Sequence, residues 1–163
     1  WLTGLFDAEK IAGPAYFGAT KFKSGKMVKF VREDVAGFTA EQKAELRTAI
    51  VALSAEAKLV AQHSGEQVDA NVIAAGRKAL VGASLGCAEC HKFGETGDTV
   101  GPDLTGYGSR EWLVAFIGNP RHERFYGERN DRMPAFGEEK QLTAGEIGLI
   151  ADWLRGEWYE HSK

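Results

Sequence analysis

No stretch of this chain approaches the roughly 18–20 consecutive apolar residues of a membrane-spanning helix. No alternating run of β-branched residues marks a strand, so the expected class is all-α. There is no basic tail and the formal net charge is only −3, which leaves no electrostatic case for nucleic acid or an anionic membrane surface. Sulfur is scarce, with two cysteines and two methionines among 163 residues. A structural zinc site needs four ligands, so beyond the two cysteines it would have to recruit His63, His122 or His161 from far away at no recognisable spacing. What is present is ordinary for a globular protein: 44% hydrophobic and 26% charged residues, enough for one domain or for a small domain plus part of another. The chain opens on Trp1 rather than Met and is expected to be a segment of something longer. The lack of a basic-then-apolar signal ahead of Trp1 says nothing of where that parent works.

Helices are marked by period and by caps. Trp1, Leu2, Leu5 and Phe6 predict a short helix. After the Gly13-Pro14 breaker the chain reads as an irregular loop to about Phe30, with Lys21, Lys23, Lys26, Lys29 and Arg32 as a solvated face. Thr39 followed by Gln42 is a capping box, and the apolar spacing beyond it predicts a helix to about Gln62, with His63 set against its C-terminal dipole. Asp69 caps another through Val72, Ile73, Gly76 and Leu80. Glycine in mid-helix costs about 1 kcal/mol relative to alanine and implies that a second helix crosses there. The expected partner is the last helix, opened by Thr143 and carrying Ile147, Ile150, Ala151, Trp153 and Leu154. A short helix over about 110–118 lies between them.

Both cysteines sit in Cys87-Ala88-Glu89-Cys90-His91, the C-x-x-C-H spacing of covalent haem c attachment. Two thiols three positions apart can add to the two vinyl groups of one haem, while the following imidazole reaches the iron from the same turn. The alternatives at this point are the zinc site above and a thioredoxin-type dithiol, which needs a strand and a helix around the C-x-x-C.

From about Asp69 to Tyr159 the chain resembles the class I cytochromes c. The resemblance rests on a helix leading into C-x-x-C-H, Gly101-Pro102-Asp103-Leu104, a middle bearing Tyr107 and Trp112, Met133-Pro134 with Phe136, and a closing helix. It implies a cytochrome c fold over 66–163 with one haem c per chain, held by thioethers at Cys87 and Cys90. His91 would be the proximal ligand through Nε2, with its other nitrogen on the carbonyl of Pro102, and Met133 the distal ligand. Tyr107, Arg110 and Trp112 fall where the family binds the haem propionates, and Asn130 and Tyr126 are placed to orient the methionine loop. With both axial positions filled, the implied function is one-electron transfer in a respiratory-type chain rather than an enzymatic reaction. A small c-type peroxidase or a gas sensor would instead need Met133 absent or displaceable. The implied electron-transfer edge, around Ala88 and Pro134 to Phe136, has Glu89, Glu95, Glu138 and Glu139 near it against Lys92 and Lys140, so a basic partner patch is expected.

Residues 1–65 echo the back half of that domain. Trp1-Leu2 matches Trp112-Leu113, Tyr16-Phe17-Gly18 matches Phe125-Tyr126-Gly127, Met27 and Phe30 match Met133 and Phe136, and Phe38-Thr39-Ala40 matches Leu142-Thr143-Ala144. The expectation is a haemless helical extension, the remnant of an earlier cytochrome c repeat. Its apolar faces would be buried on the haem domain or in a homodimer. Paired domains of this kind resemble those that accompany the cytochrome b of quinol-oxidising complexes. That resemblance implies such a complex and a soluble cytochrome or oxidase as redox partners, a membrane-tethered parent, and a location in the periplasm or on the outer face of the cytoplasmic membrane.

Overall fold

The computed structural model describes residues 1–64 and 69–157. It is all-α, with helices α1 (Leu2–Leu5), α2 (Lys26–Glu33), α3 (Ala40–Glu56), α4 (Val60–Ser64), α5 (Ala70–Val81), α6 (Arg110–Gly118) and α7 (Ala144–Leu154). Phe93 and Thr96 form one isolated bridge, and no strand occurs among the described residues. No helix among them is long and apolar enough to cross a membrane. The role expected for His63 at the helix end and any metal-ligand role of His161 concern side chains outside the described residues.

Local chemistry fixes most of the boundaries. Thr39 accepts from the Gln42 amide at 3.2 Å and Gln42 returns a bond to the Thr39 N–H. Thr143 and Glu146 repeat this box at the head of α7, and Ser109 and Asp69 cap α6 and α5. Two stretches differ from the sequence expectation. The basic run after Gly25 is helical: in α2, Lys26, Lys29 and Arg32 are exposed while Val28 and Val31 are buried, a helical period that the lysines mask. The helix after Thr39 stops at Glu56 rather than running on to Gln62, because Lys58 takes a left-handed conformation (φ 51°) that breaks α3 from α4.

The principal core joins the two stretches separated in the sequence analysis. Ile11, Val28, Val31 and Val35 pack in one cluster with Leu46, Ala49, Ala52 and Leu53 of α3, Ala79 and Leu80 of α5, and Leu85. Gly76 sits at the α3–α5 crossing, where an added Cβ would strike the Thr48 carbonyl and lie 2.7 Å from the Ala52 Cβ. The sequence placed α7 at this crossing; the structure places α3 there. Two features of α3 explain the choice. Ala52 and the bare Thr48 carbonyl permit close approach, and Glu56 reaches Arg77 of α5 at 2.7 Å while also accepting the Gly106 amide at 3.1 Å.

Helix α7 instead packs on α6 through Ile147 and Ala151. Arg110 donates twice to Asp152, at 2.6 and 3.2 Å. Its end is tied down by Arg155, whose guanidinium donates to the carbonyls of Ala57 (2.5 Å), Gly108 (2.9 Å) and Lys58 (3.2 Å).

Candidate functional site

Helix α5 ends at Val81, and Gly86, in the left-handed region at φ 68°, turns the chain into one 3₁₀ turn over Cys87–Glu89. The amides of Cys90 and His91 both point back to the Cys87 carbonyl, at 3.2 and 2.9 Å, which gathers two thiols and an imidazole within a single turn. The following loop folds under them. Gly97 (φ 103°) passes so close to the His91 carbonyl that no Cβ would fit, the Asp98 amide donates to Ala88, and Gly101 runs beneath the imidazole, where a Cβ would lie 2.7 Å from Nδ1. That path brings the Pro102 carbonyl to 2.8 Å from His91 Nδ1.

A carbonyl only accepts, so Nδ1 must carry the proton and Nε2 keeps its lone pair. Burial holds the His91 pKa below its usual value, with the Pro102 bond pulling the other way, so the ring is neutral near pH 7. Burial also pushes the Cys87 thiol up to about 11. The strand that a thioredoxin-type dithiol needs around its C-x-x-C does not occur among the described residues. Both thiols are free and half-buried. Among the described residues no three His, Cys, Asp or Glu side chains converge as a metal cluster. His122, one of the distant zinc candidates, is spent locally, its Nδ1 accepting from the Arg124 amide at 3.2 Å.

Met133 lies on an extended loop and lines a cavity of about 360 Å³ together with Phe22, Phe116, Tyr126 and Asn130. Asn130 Nδ2 donates to the Met133 carbonyl at 2.7 Å. The N-terminal segment closes over this loop: Phe22 stacks on Tyr126 at 5.6 Å, Lys21 Nζ donates to the Asn130 carbonyl at 2.9 Å, and Arg132 donates to the Ala19 carbonyl. Lys21, Lys23, Lys26, Lys29 and Arg32 are exposed as the sequence leads one to expect, and Lys21, with Ala19 and Phe22, also braces the methionine loop.

The three residues placed by resemblance at the propionates differ in what they have to offer. Tyr107 packs edge-on to Trp112 at 5.0 Å, and burial pushes its hydroxyl pKa up, as it does for Tyr126. The Trp112 indole N–H is already given to the Asp103 carbonyl at 3.0 Å, and Arg110 is turned to Asp152 on α7. A residue the sequence reading passed over reaches the loop that follows Asp103. Arg124 donates to the Thr105 carbonyl at 2.7 Å, and its buried Nε makes no hydrogen bond, with the Asp103 carboxylate 3.4 Å away. Nothing in the spacing of His122-Glu123-Arg124 signals it.

Comparison with protein-family models, with characterised proteins and with solved structures finds no match to this chain, so what the site does must be read from its own residues.

Proposed function

We propose that the chain binds one haem c through thioethers at Cys87 and Cys90, with His91 and Met133 as axial ligands, and that it serves as a one-electron carrier. The observation that carries the reading is the His91 Nδ1 contact to Pro102, made in the same turn that holds both thiols: it leaves Nε2 as a neutral donor beside two free sulfurs. When bound, such a haem supplies exchange of a single electron between ferrous and ferric iron, and a thioether ligand favours the ferrous form. The chain's own residues do the rest. Pro102 fixes the imidazole tautomer, Asn130 fixes the methionine loop, and Phe116, Tyr126 and Phe22 line the space beside Met133 with apolar surface.

The class I cytochrome c resemblance, including a cytochrome c fold over 66–163 and a haemless remnant repeat ahead of it, belongs to this proposal. So do the partners it implies: a quinol-oxidising complex, a soluble cytochrome or oxidase, and a site of action on the outer face of the membrane or in the periplasm. The test is expression with a haem c maturation system. A haem-to-protein ratio of one that survives acid extraction, and a low-spin ferric spectrum with a sulfur-to-iron band, are the expected results. A high-spin spectrum would favour the peroxidase or sensor reading, and haem lost on extraction would end the covalent one.

A further inference from the structure

The methionine loop has little backbone structure of its own. The Asn130 amide meets the Gly127 carbonyl at 3.1 Å and the Gly137 amide meets that of Gly118 at 3.0 Å, but among the described residues no backbone amide from Asp131 to Phe136 donates a hydrogen bond. The bond from Asn130 to the Met133 carbonyl spans only three residues, so it shapes the loop without fixing its place in the molecule. A loop built this way is held where it is by whatever it touches.

What it touches lies 109 to 113 residues away in sequence. Asn130, Asp131 and Arg132, the residues leading into Met133, are each tied to residues 19–21. The Asn130 carbonyl accepts from Lys21 Nζ at 2.9 Å, the Asp131 carboxylate accepts from the Lys21 amide at 3.2 Å, and the Arg132 guanidinium donates to the Ala19 carbonyl. Phe22 adds its stack on Tyr126, and the two segments together line the cavity beside Met133.

The arm that makes these contacts is itself fixed. Thr20 Oγ1 donates to the Phe17 carbonyl at 2.8 Å and accepts from the Phe22 amide at 3.1 Å. Gly18 donates to the Gly13 carbonyl at 2.9 Å and leaves no room for a Cβ against Ala12. The Phe17 amide donates to the carbonyl of Ile11, which is fully buried in the principal core. Residues 19–22 therefore carry the position of the core to the segment that presents Met133.

We infer that Lys21 and Phe22 are positioning residues for Met133: they hold its thioether at the iron and so close the sixth coordination site to small ligands. The inference rests on the haem reading above and decides within it, because a carrier needs Met133 held whereas a peroxidase or a sensor needs it displaceable. The extension is then part of the haem site, acting through Met133, and not a separate remnant beside it. Each contact is modest, since Lys21 is exposed, and the hold is their sum.

The test uses the full haem-loaded chain with Lys21→Met, Phe22→Ala and the two combined, titrated in the ferric state with imidazole, which competes with a thioether for the iron. The combined variant should bind imidazole about tenfold more tightly, as the loss of one hydrogen bond and one ring pair implies, and its sulfur-to-iron band should weaken. Lys21→Met alone should move both readings the same way by less. Lys21→Arg keeps a donor and should match the parent, as should Lys23→Met at an exposed lysine of the same segment. Equal imidazole affinity in the combined variant and the parent, with the band intact in both, would overturn the positioning role and leave the haem reading standing. A parent chain without the band would overturn both, since there would be no thioether for the arm to hold. A gain in affinity shared by Lys23→Met would mean a general loosening of the chain and would also overturn the role assigned to Lys21 and Phe22.

Discussion

Met27 and Met133 each stand three residues before a phenylalanine in stretches of similar sequence, yet the chain treats them differently. Met27 lies in α2 and packs against the main core, where a flexible thioether fills space. Met133 lies on an extended loop beside a cavity, with its carbonyl held by Asn130. The next residue accounts for much of the difference. Pro134 disfavours the helical region for the residue before it, while Val28 allows the helix and anchors it by burial. A ligand needs its sulfur presented on a fixed loop, and a core residue needs its side chain on a helix face.

The largest expected effect breaks this comparison directly. Met133→Ala should abolish the sulfur-to-iron band and lower the reduction potential of the haem-loaded protein, while Met27→Ala leaves the spectrum unchanged and costs about 2 kcal/mol in urea unfolding as a core truncation. If the two variants exchanged these phenotypes, the assignment of the ligand would be reversed. Next in size, Val28→Pro copies the Met-Pro of the second repeat into the first. It should unwind the first turn of α2 and expose a buried side chain, at about 2–3 kcal/mol by denaturant midpoint. An unchanged midpoint would mean that the proline does not set the conformation.

Glu56 ties α3 to Arg77 of α5 and to the Gly106 amide. Glu56→Gln should cost about 2 kcal/mol, as charge-assisted hydrogen bonds do, and more in the haem-free chain than an exposed control such as Glu41→Gln. The smallest effects concern what the repeats share. Thr39→Ala and Thr143→Ala each remove one capping box and should each cost about 1 kcal/mol in thermal or urea unfolding. Unequal losses would show that one helix leans on tertiary contacts more than the other.

How much of this was legible beforehand divides along the range of the interactions. Caps and periods are local, so the starts of α3, α5 and α7 could be read from Thr39, Asp69 and Thr143, and α6 from its apolar residues. The left-handed Lys58 carries no glycine to announce it, and Val28 and Val31 were hidden among lysines. The crossing of α3 at Gly76, made through Thr48, Ala52 and Glu56, joins two helices, and no single window of sequence contains it. At the site, the C-x-x-C-H turn is local, and Pro102 beside His91 was implied by family resemblance. The engagement of Arg110 and Trp112, and the position of Arg124, depend on how distant loops meet.

The Arg155 clamp bears on the order in which the chain folds. Helices α3 and α5 are near neighbours in sequence, so their pairing closes a short loop, and they are suited to an early nucleus. Arg155 binds Ala57 and Lys58 across separations of 98 and 97 residues, a closure that gains only after α6 and α7 have docked. Its bonds thus belong to the last stage of folding and the first of unfolding. They govern how long the native state lasts more than how fast it forms.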